Sequence, residues 1–188
     1  MANLIFIEGV SRTGKSSLTN QLAEMYGFRF ISIKDKMPAN VPSELLPTYY
    51  HGMHIMANQF YNTFPDETFV LDRSFLSEVV YSKYFNRDSY INCDDIISDL
   101  LFEHNFVLIN LTGTFHTYME RSPKDRIVYN ELQYIKQKDL FSWHFQKYKN
   151  NKKDNRWSAR FLELDTSELN LEECLSSIKK LLTINSII

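Results

Sequence analysis

Gly9-Val10-Ser11-Arg12-Thr13-Gly14-Lys15-Ser16 fits the pattern G-x-x-x-x-G-K-S near the amino terminus. Residues of these types at this spacing hold polyphosphate. The glycines let the backbone curl, so that the N–H groups of Ser11, Arg12, Thr13 and their neighbours turn toward phosphate oxygens. A helix starting at Lys15 adds the positive end of its dipole, through Ser16 and Ser17. The Lys15 ammonium reaches the β- and γ-phosphates, and the Ser16 hydroxyl is a hard oxygen ligand for Mg²⁺. The chemistry outlined is the capture of a nucleoside triphosphate, with Mg²⁺ as its ion.

A second cluster is "FVLDRSFLSEVVY". Asp72 ends a short apolar run and is placed to act on Mg²⁺ or its waters. Arg73 beside it can clamp an acceptor phosphate. Ser77 and Tyr81 are four apart and share one helical face, with Glu78 adjacent. The plainer readings are a surface Asp–Arg pair and ordinary helix-surface side chains. Asp35, between Lys34 and Lys36, is either a solvated loop acid or a base for an alcohol acceptor. A phosphate acceptor is already anionic and needs no base, whereas a hydroxyl must lose its proton.

These groups need elements to position them. Leu4–Glu8, Phe28–Ile33, Thr68–Asp72, Asn105–Leu111 and Arg160–Asp165 are short, apolar or alternating runs that predict strands. Helices are expected over Lys15–Tyr26, from about Thr48 to Thr63, over Ser74–Phe85, near Asp94–His104, around Phe115–Arg121, over Arg126–Lys149 and over Asn170–Leu182. Strands alternating with helices predict an α/β fold of three layers (αβα), with a five-stranded parallel sheet flanked by helices. Ligands then bind at the carboxyl ends of the strands, in the loops after Glu8, Ile33, Asp72, Leu111 and Asp165. The aromatic residues Phe141 and Trp143 are read as packing residues of their helix.

Composition limits the rest. The 188 residues suit one domain, residues 1–188, and the net charge of −2 gives no general pull on nucleic acid or anionic membrane. Two distant cysteines, Cys93 and Cys174, suggest free thiols and a reducing compartment. The start lacks the basic and apolar regions of a secretory signal, and no apolar run reaches the roughly 18 residues of a membrane span. A cytoplasmic, soluble chain with no membrane partner is expected. A GTPase would carry Asn-Lys-x-Asp, which is absent. Motor and transport ATPases are usually longer.

At these motifs the chain resembles the thymidylate kinases and, more loosely, the deoxynucleoside kinases of the same P-loop kinase fold. "FIEGVSRTGKSSL" is similar to the thymidylate kinase P-loop. "DRSFLSEVVY" is similar to the family's second motif at Asp72, Arg73, Ser77 and Tyr81. "RSPKDRIVYNELQYIKQKDLFSWHFQKY" is similar to its lid and following helix. The resemblance implies a small helical lid at about residues 115–130, with Arg121, Lys124 and Arg126 closing over the triphosphate. It implies that Arg12 neutralises the transferred phosphoryl group. It puts Arg73 on the acceptor phosphate, Tyr81 against the sugar, Glu78 near the base and His51 or His54 near a base-stacking position. The loop "DTSELN" after the fifth strand would pack against adenine. A homodimer through the helices flanking the third strand is also implied. Ser11 replaces the family's usual aspartate, and "IKDKMP" replaces its arginine-containing segment, so the departures fall on the acceptor side.

The expected function is ATP-dependent phosphorylation of a pyrimidine deoxynucleoside monophosphate. One alternative is a hydroxyl kinase acting on a deoxynucleoside or on a hydroxymethylated pyrimidine in DNA. There the run Lys147, Lys149, Lys152, Lys153 and Arg156 could meet phosphates, although a solvated loop is the commoner meaning of such a run. A second alternative is a non-catalytic nucleotide-binding switch.

Overall fold

The computed structural model describes residues 1–32, 42–89, 91–122, 129–150 and 157–188. Five strands form one parallel sheet: β1 (Asn3–Gly9), β2 (Arg29–Ser32), β3 (Thr68–Asp72), β4 (Asn105–Thr112) and β5 (Phe161–Asp165), in the order β2-β3-β1-β4-β5. Seven helices accompany them among the described residues: α1 (Lys15–Tyr26), α2 (Leu46–Thr63), α3 (Phe75–Tyr84), α4 (Cys93–Glu103), α5 (Phe115–Glu120), α6 (Glu131–Lys149) and α7 (Leu171–Ile184).

The central strands β1, β3 and β4 are buried on both sides, and their alternation sorts side chains between two cores. Leu4, Phe6, Phe69, Leu71, Phe106 and Leu108 face a layer made from α2, α3, α4 and α6. Ile5, Ile7, Val70, Val107 and Ile109 face α1 and α7. A one-residue slip of β1 would exchange the two sets, so the register is strongly fixed. Because every strand is parallel, Gly9, Ser32, Asp72, Thr112 and Asp165 end at one edge of the sheet.

Element boundaries follow local chemistry. Gly14 and Gly27 bracket α1 in the left-handed conformation. α6 starts at Glu131 because Asn130 and Gln133 form a capping box there. Residues 123–128, which include Lys124 and Arg126, lie outside the described residues. So do Asp35 with its flanking lysines, and Lys152, Lys153 and Arg156. Phe141 is buried as expected, but Trp143 is 56% exposed. It sits two positions further along α6, on the opposite face, which the core does not reach. No helix among the described residues is long and apolar enough to cross a membrane.

Candidate nucleotide site

The turn between β1 and α1 lies beneath a cleft of about 960 Å³. Gly9 has φ +126°, and a Cβ there would come within 2.1 Å of the Leu111 carbonyl oxygen on β4. Only glycine lets β1 leave the sheet this close to its neighbour. Arg12 also takes a positive φ, +66°. The turn is braced from within: Thr13 Oγ1 donates to the Val10 carbonyl at 3.0 Å, and the Lys15 ammonium donates to the same carbonyl. The first N–H groups of α1 have no partners inside the helix and lie beside the cleft.

Ser11, Arg12, Thr13, Gly14, Lys15, Ser16 and Ser17 all line the cleft, as do Asp72, Arg73 and Arg121. Four cations, Arg12, Lys15, Arg73 and Arg121, therefore face one carboxylate, Asp72. In a chain of net charge −2 that concentration favours a multiply charged anion. The Arg12 guanidinium lies over the Tyr118 ring at 4.8 Å, and its Nη1 has no hydrogen-bond partner among the described residues. Arg121 donates to the Thr166 carbonyl at 2.8 Å, to Thr166 Oγ1 at 3.0 Å and to the Arg12 carbonyl at 3.3 Å. It thereby ties the loop after β5 to the P-loop. Thr166 and Leu169 of that loop, with Leu171 at the start of α7, also line the cleft.

The Ser16 hydroxyl donates to the Asp72 carboxylate, which brings two hard oxygen donors together at the base of the cleft. That donor set suits Mg²⁺, which is commonly held by one or two protein oxygens and completed by phosphates and water. Among the described residues no group of three or more His, Cys, Asp or Glu side chains offers another metal site.

Beyond Asp72 the organising group is Glu8, which is fully buried at the end of β1. One carboxylate oxygen accepts from Ser74 N at 2.7 Å, Ser74 Oγ at 2.6 Å and Ser77 N at 3.3 Å; the other accepts from Ser77 Oγ. Glu8 thus caps the first turn of α3 from a neighbouring strand. Burial raises its pKa, while the bonds from Ser74 and Ser77 and the charge of Arg73 oppose the rise. Arg73, at φ +74°, donates to Ser77 Oγ at 3.0 Å and to the Gly9 carbonyl at 3.3 Å, and lies over Tyr81 at 5.1 Å. Arg73, Ser77 and Tyr81 therefore form one row.

Other residues singled out on the acceptor side lie elsewhere. Both oxygens of Glu78 accept from Arg87 at 2.6 Å. Burial raises the Glu78 pKa against the pull of that guanidinium. His54 packs edge-on against Phe75 at 6.1 Å, and burial with the neighbouring His51 lowers its pKa to about 4. His51 is exposed. None of Ser77, Glu78, Tyr81, His51 and His54 lines the cleft itself.

Glu8, Arg87 and Tyr118 were not singled out by the sequence, and Thr166 was named only as part of the loop "DTSELN". Only Glu8 left a usable sign: a carboxylate closing an otherwise apolar strand.

No family model matches the chain, and no curated protein sequence matches it. Solved structures do. YorR protein from Bacillus subtilis, in complex with phosphorylated GDP, is 16% identical with a TM-score of 0.66, covering 98% of each chain. Deoxyadenosine kinase from M. mycoides with bound dCTP is 15% identical with a TM-score of 0.62, covering 97% of this chain and 99% of that one. Thymidylate kinase from Candida albicans is 17% identical with a TM-score of 0.60, covering 97% and 92%. The chain has a P-loop kinase-like fold, which it shares with these structures.

Proposed function

We propose that this chain transfers the γ-phosphoryl group of ATP to a pyrimidine deoxynucleoside monophosphate. The observation that carries the reading is the convergence of Lys15, the Ser16–Asp72 pair and the braced Arg73 on one cationic cleft. The volume of about 960 Å³ suits a nucleoside triphosphate. The choice of a monophosphate acceptor rests on Arg73 and on the resemblance of "DRSFLSEVVY" to the thymidylate kinases.

Phosphoryl transfer asks the protein mainly for alignment and charge neutralisation. An acceptor phosphate oxygen forms the new bond to the γ-phosphorus as the bond to the β,γ-bridging oxygen breaks, leaving ADP. Lys15 and Arg12 balance charge spreading over the transferred group. Arg73 holds the acceptor phosphate in line, steadied by Ser77 and Glu8. Arg121 keeps the base-facing loop against the P-loop. Mg²⁺, held through Ser16 and Asp72, would supply further neutralisation of the phosphates. Residues 115–130 are proposed to act as the lid.

A second reading has a specific support. Ser11 brings no carboxylate to the acceptor side, and the deoxyadenosine kinase of M. mycoides is similar over nearly the whole chain. On that reading the acceptor is a deoxynucleoside hydroxyl, with Asp35 as base. Radiolabelled ATP offered in parallel with dTMP, thymidine and DNA containing hydroxymethyluracil separates the two. Label on dTMP alone is expected. Label on thymidine or DNA would transfer the assignment to the hydroxyl kinase, and label on none would leave a nucleotide-binding switch.

A further inference from the structure

Two arginines of the cleft share a setting. Arg12 and Arg73 both take positive φ, +66° and +74°, and each guanidinium lies over a tyrosine ring, Tyr118 at 4.8 Å and Tyr81 at 5.1 Å. The negative face of an aromatic ring attracts a cation, and the planar guanidinium suits that seat. The two arginines differ in what else holds them. Arg73 also donates to Ser77 Oγ and to the Gly9 carbonyl. Arg12 Nη1 is buried and finds no hydrogen-bond partner among the described residues. Arg121 fastens Arg12 at its backbone carbonyl, not at its side chain.

Tyr118 is itself firmly held. It is 3% exposed, yet it lines the cleft. Its ring stacks on Phe115 at 5.9 Å and on Tyr129 at 6.2 Å, and packs on Tyr134 at 4.9 Å. Its hydroxyl accepts from the Tyr129 amide at 2.8 Å, and the Tyr134 hydroxyl donates to the Gly113 carbonyl, just after β4, at 3.1 Å. Core packing explains the aromatic neighbours. It does not explain why the ring also meets a cation whose buried nitrogen lacks a partner. Such a donor is costly unless a ligand completes it, and phosphate oxygens in the cleft would do so.

We infer that Tyr118 is a positioning residue for phosphoryl transfer: its ring seats the Arg12 guanidinium where charge develops on the transferred group, before substrate arrives. The inference rests on the role given to Arg12 above, and adds that the arginine is placed by α5 as well as by the P-loop. An arginine side chain has several rotatable bonds. Unseated, Arg12 would spread over many rotamers and meet the phosphoryl group from only some of them. Preorganisation of this kind acts on the chemical step more than on the affinity for ATP.

Radiolabelled ATP with dTMP or thymidine, whichever takes label, supplies the kinetic test. Tyr118→Leu should lower kcat about three- to thirtyfold and change the KM for ATP less than about twofold. Tyr118→Phe keeps the ring and should recover most of the loss. In an Arg12→Ala background, Tyr118→Leu should lower kcat no further, because nothing is then seated. The nitrogen-15 spectrum of the arginine side chains reads the seat without turnover. The Arg12 Nε–H signal, identified by its loss in Arg12→Ala, should lie upfield under the ring, move downfield in Tyr118→Leu and stay in place in Tyr118→Phe. Equal kcat losses in both backgrounds, a Phe variant as slow as the Leu variant, or an Arg12 signal unmoved by Tyr118→Leu would overturn the inference. A wild type that labels neither acceptor would instead remove the phosphoryl-transfer reading, and the spectrum would still decide whether Tyr118 holds Arg12.

Discussion

At the residue scale the cleft depends on charges that cannot be exchanged for neutral groups. Lys15 stands at the head of α1 with its ammonium inside the P-loop turn. Lys15→Ala removes a fixed cation from the transferred phosphoryl group, and kcat should fall by roughly a hundredfold to a thousandfold or more. Turnover near wild type, measured by label transfer at saturating ATP, would remove the donor site from its assigned place. Glu8 touches no ligand on this reading; it is a positioning residue. Its oxygens accept from two amides and two hydroxyls, and an amide side chain turns one of those acceptors into a donor. Glu8→Gln should cost about 1–3 kcal/mol of stability. It should also raise the acceptor KM several-fold more than the ATP KM, because Arg73 leans on Ser77. Equal changes in both KM values would reduce Glu8 to a structural role.

At the scale of elements, the site exists because β1 lies between β3 and β4, which brings the P-loop beside Asp72 and beneath the loop after β5. The closest tolerance is where β1 leaves the sheet at Gly9. Gly9→Ala would force a side chain into a positive φ and into the Leu111 carbonyl, a backbone atom of a central strand. A loss of about 3 kcal/mol or more is expected, roughly 6–12 °C in Tm for a chain of this size. A thermal scan showing an unchanged Tm would mean that β1 and β4 part more easily than their register implies. The elements themselves were largely legible: strand and helix positions follow from runs and periodicities within a few residues. The exposed position of Trp143 was not legible, because a helix that is apolar on two faces does not announce which one the sheet covers.

For the whole molecule, acid should be destabilising through buried histidines. His144 is 3% exposed, and its pKa is lowered to about 4 by burial and by Lys83 and Lys147, with Asp94 opposing. His54 is lowered to about 4 as well. Both rings stay neutral in the native state, while the unfolded chain binds their protons near pH 6.5. Their contribution is therefore complete above about pH 6.5 and is lost as pH falls toward 4, with a slope of up to about 1.4 kcal/mol per pH unit for each. The raised carboxyls Glu8 and Glu78 act in the opposite sense. Urea midpoints at several pH values should fall through this window for the wild type and fall less steeply for His144→Gln. Parallel curves would show that His144 does not contribute.

The sequence by itself determined the P-loop, the helix behind it, the Asp72–Arg73 pair and the alternation that builds the sheet. Each of these is written in neighbouring residues, where backbone torsion, helical spacing and strand alternation act over a few positions. The tertiary structure decided which groups meet. Ser16 reaches Asp72 across 56 residues, Glu8 reaches Ser74 across 66, and Arg121 reaches Thr166 across 45. It also gave Glu78 to Arg87 rather than to the cleft. Such pairs depend on strand order and on which face each helix turns inward, and no local spacing encodes either.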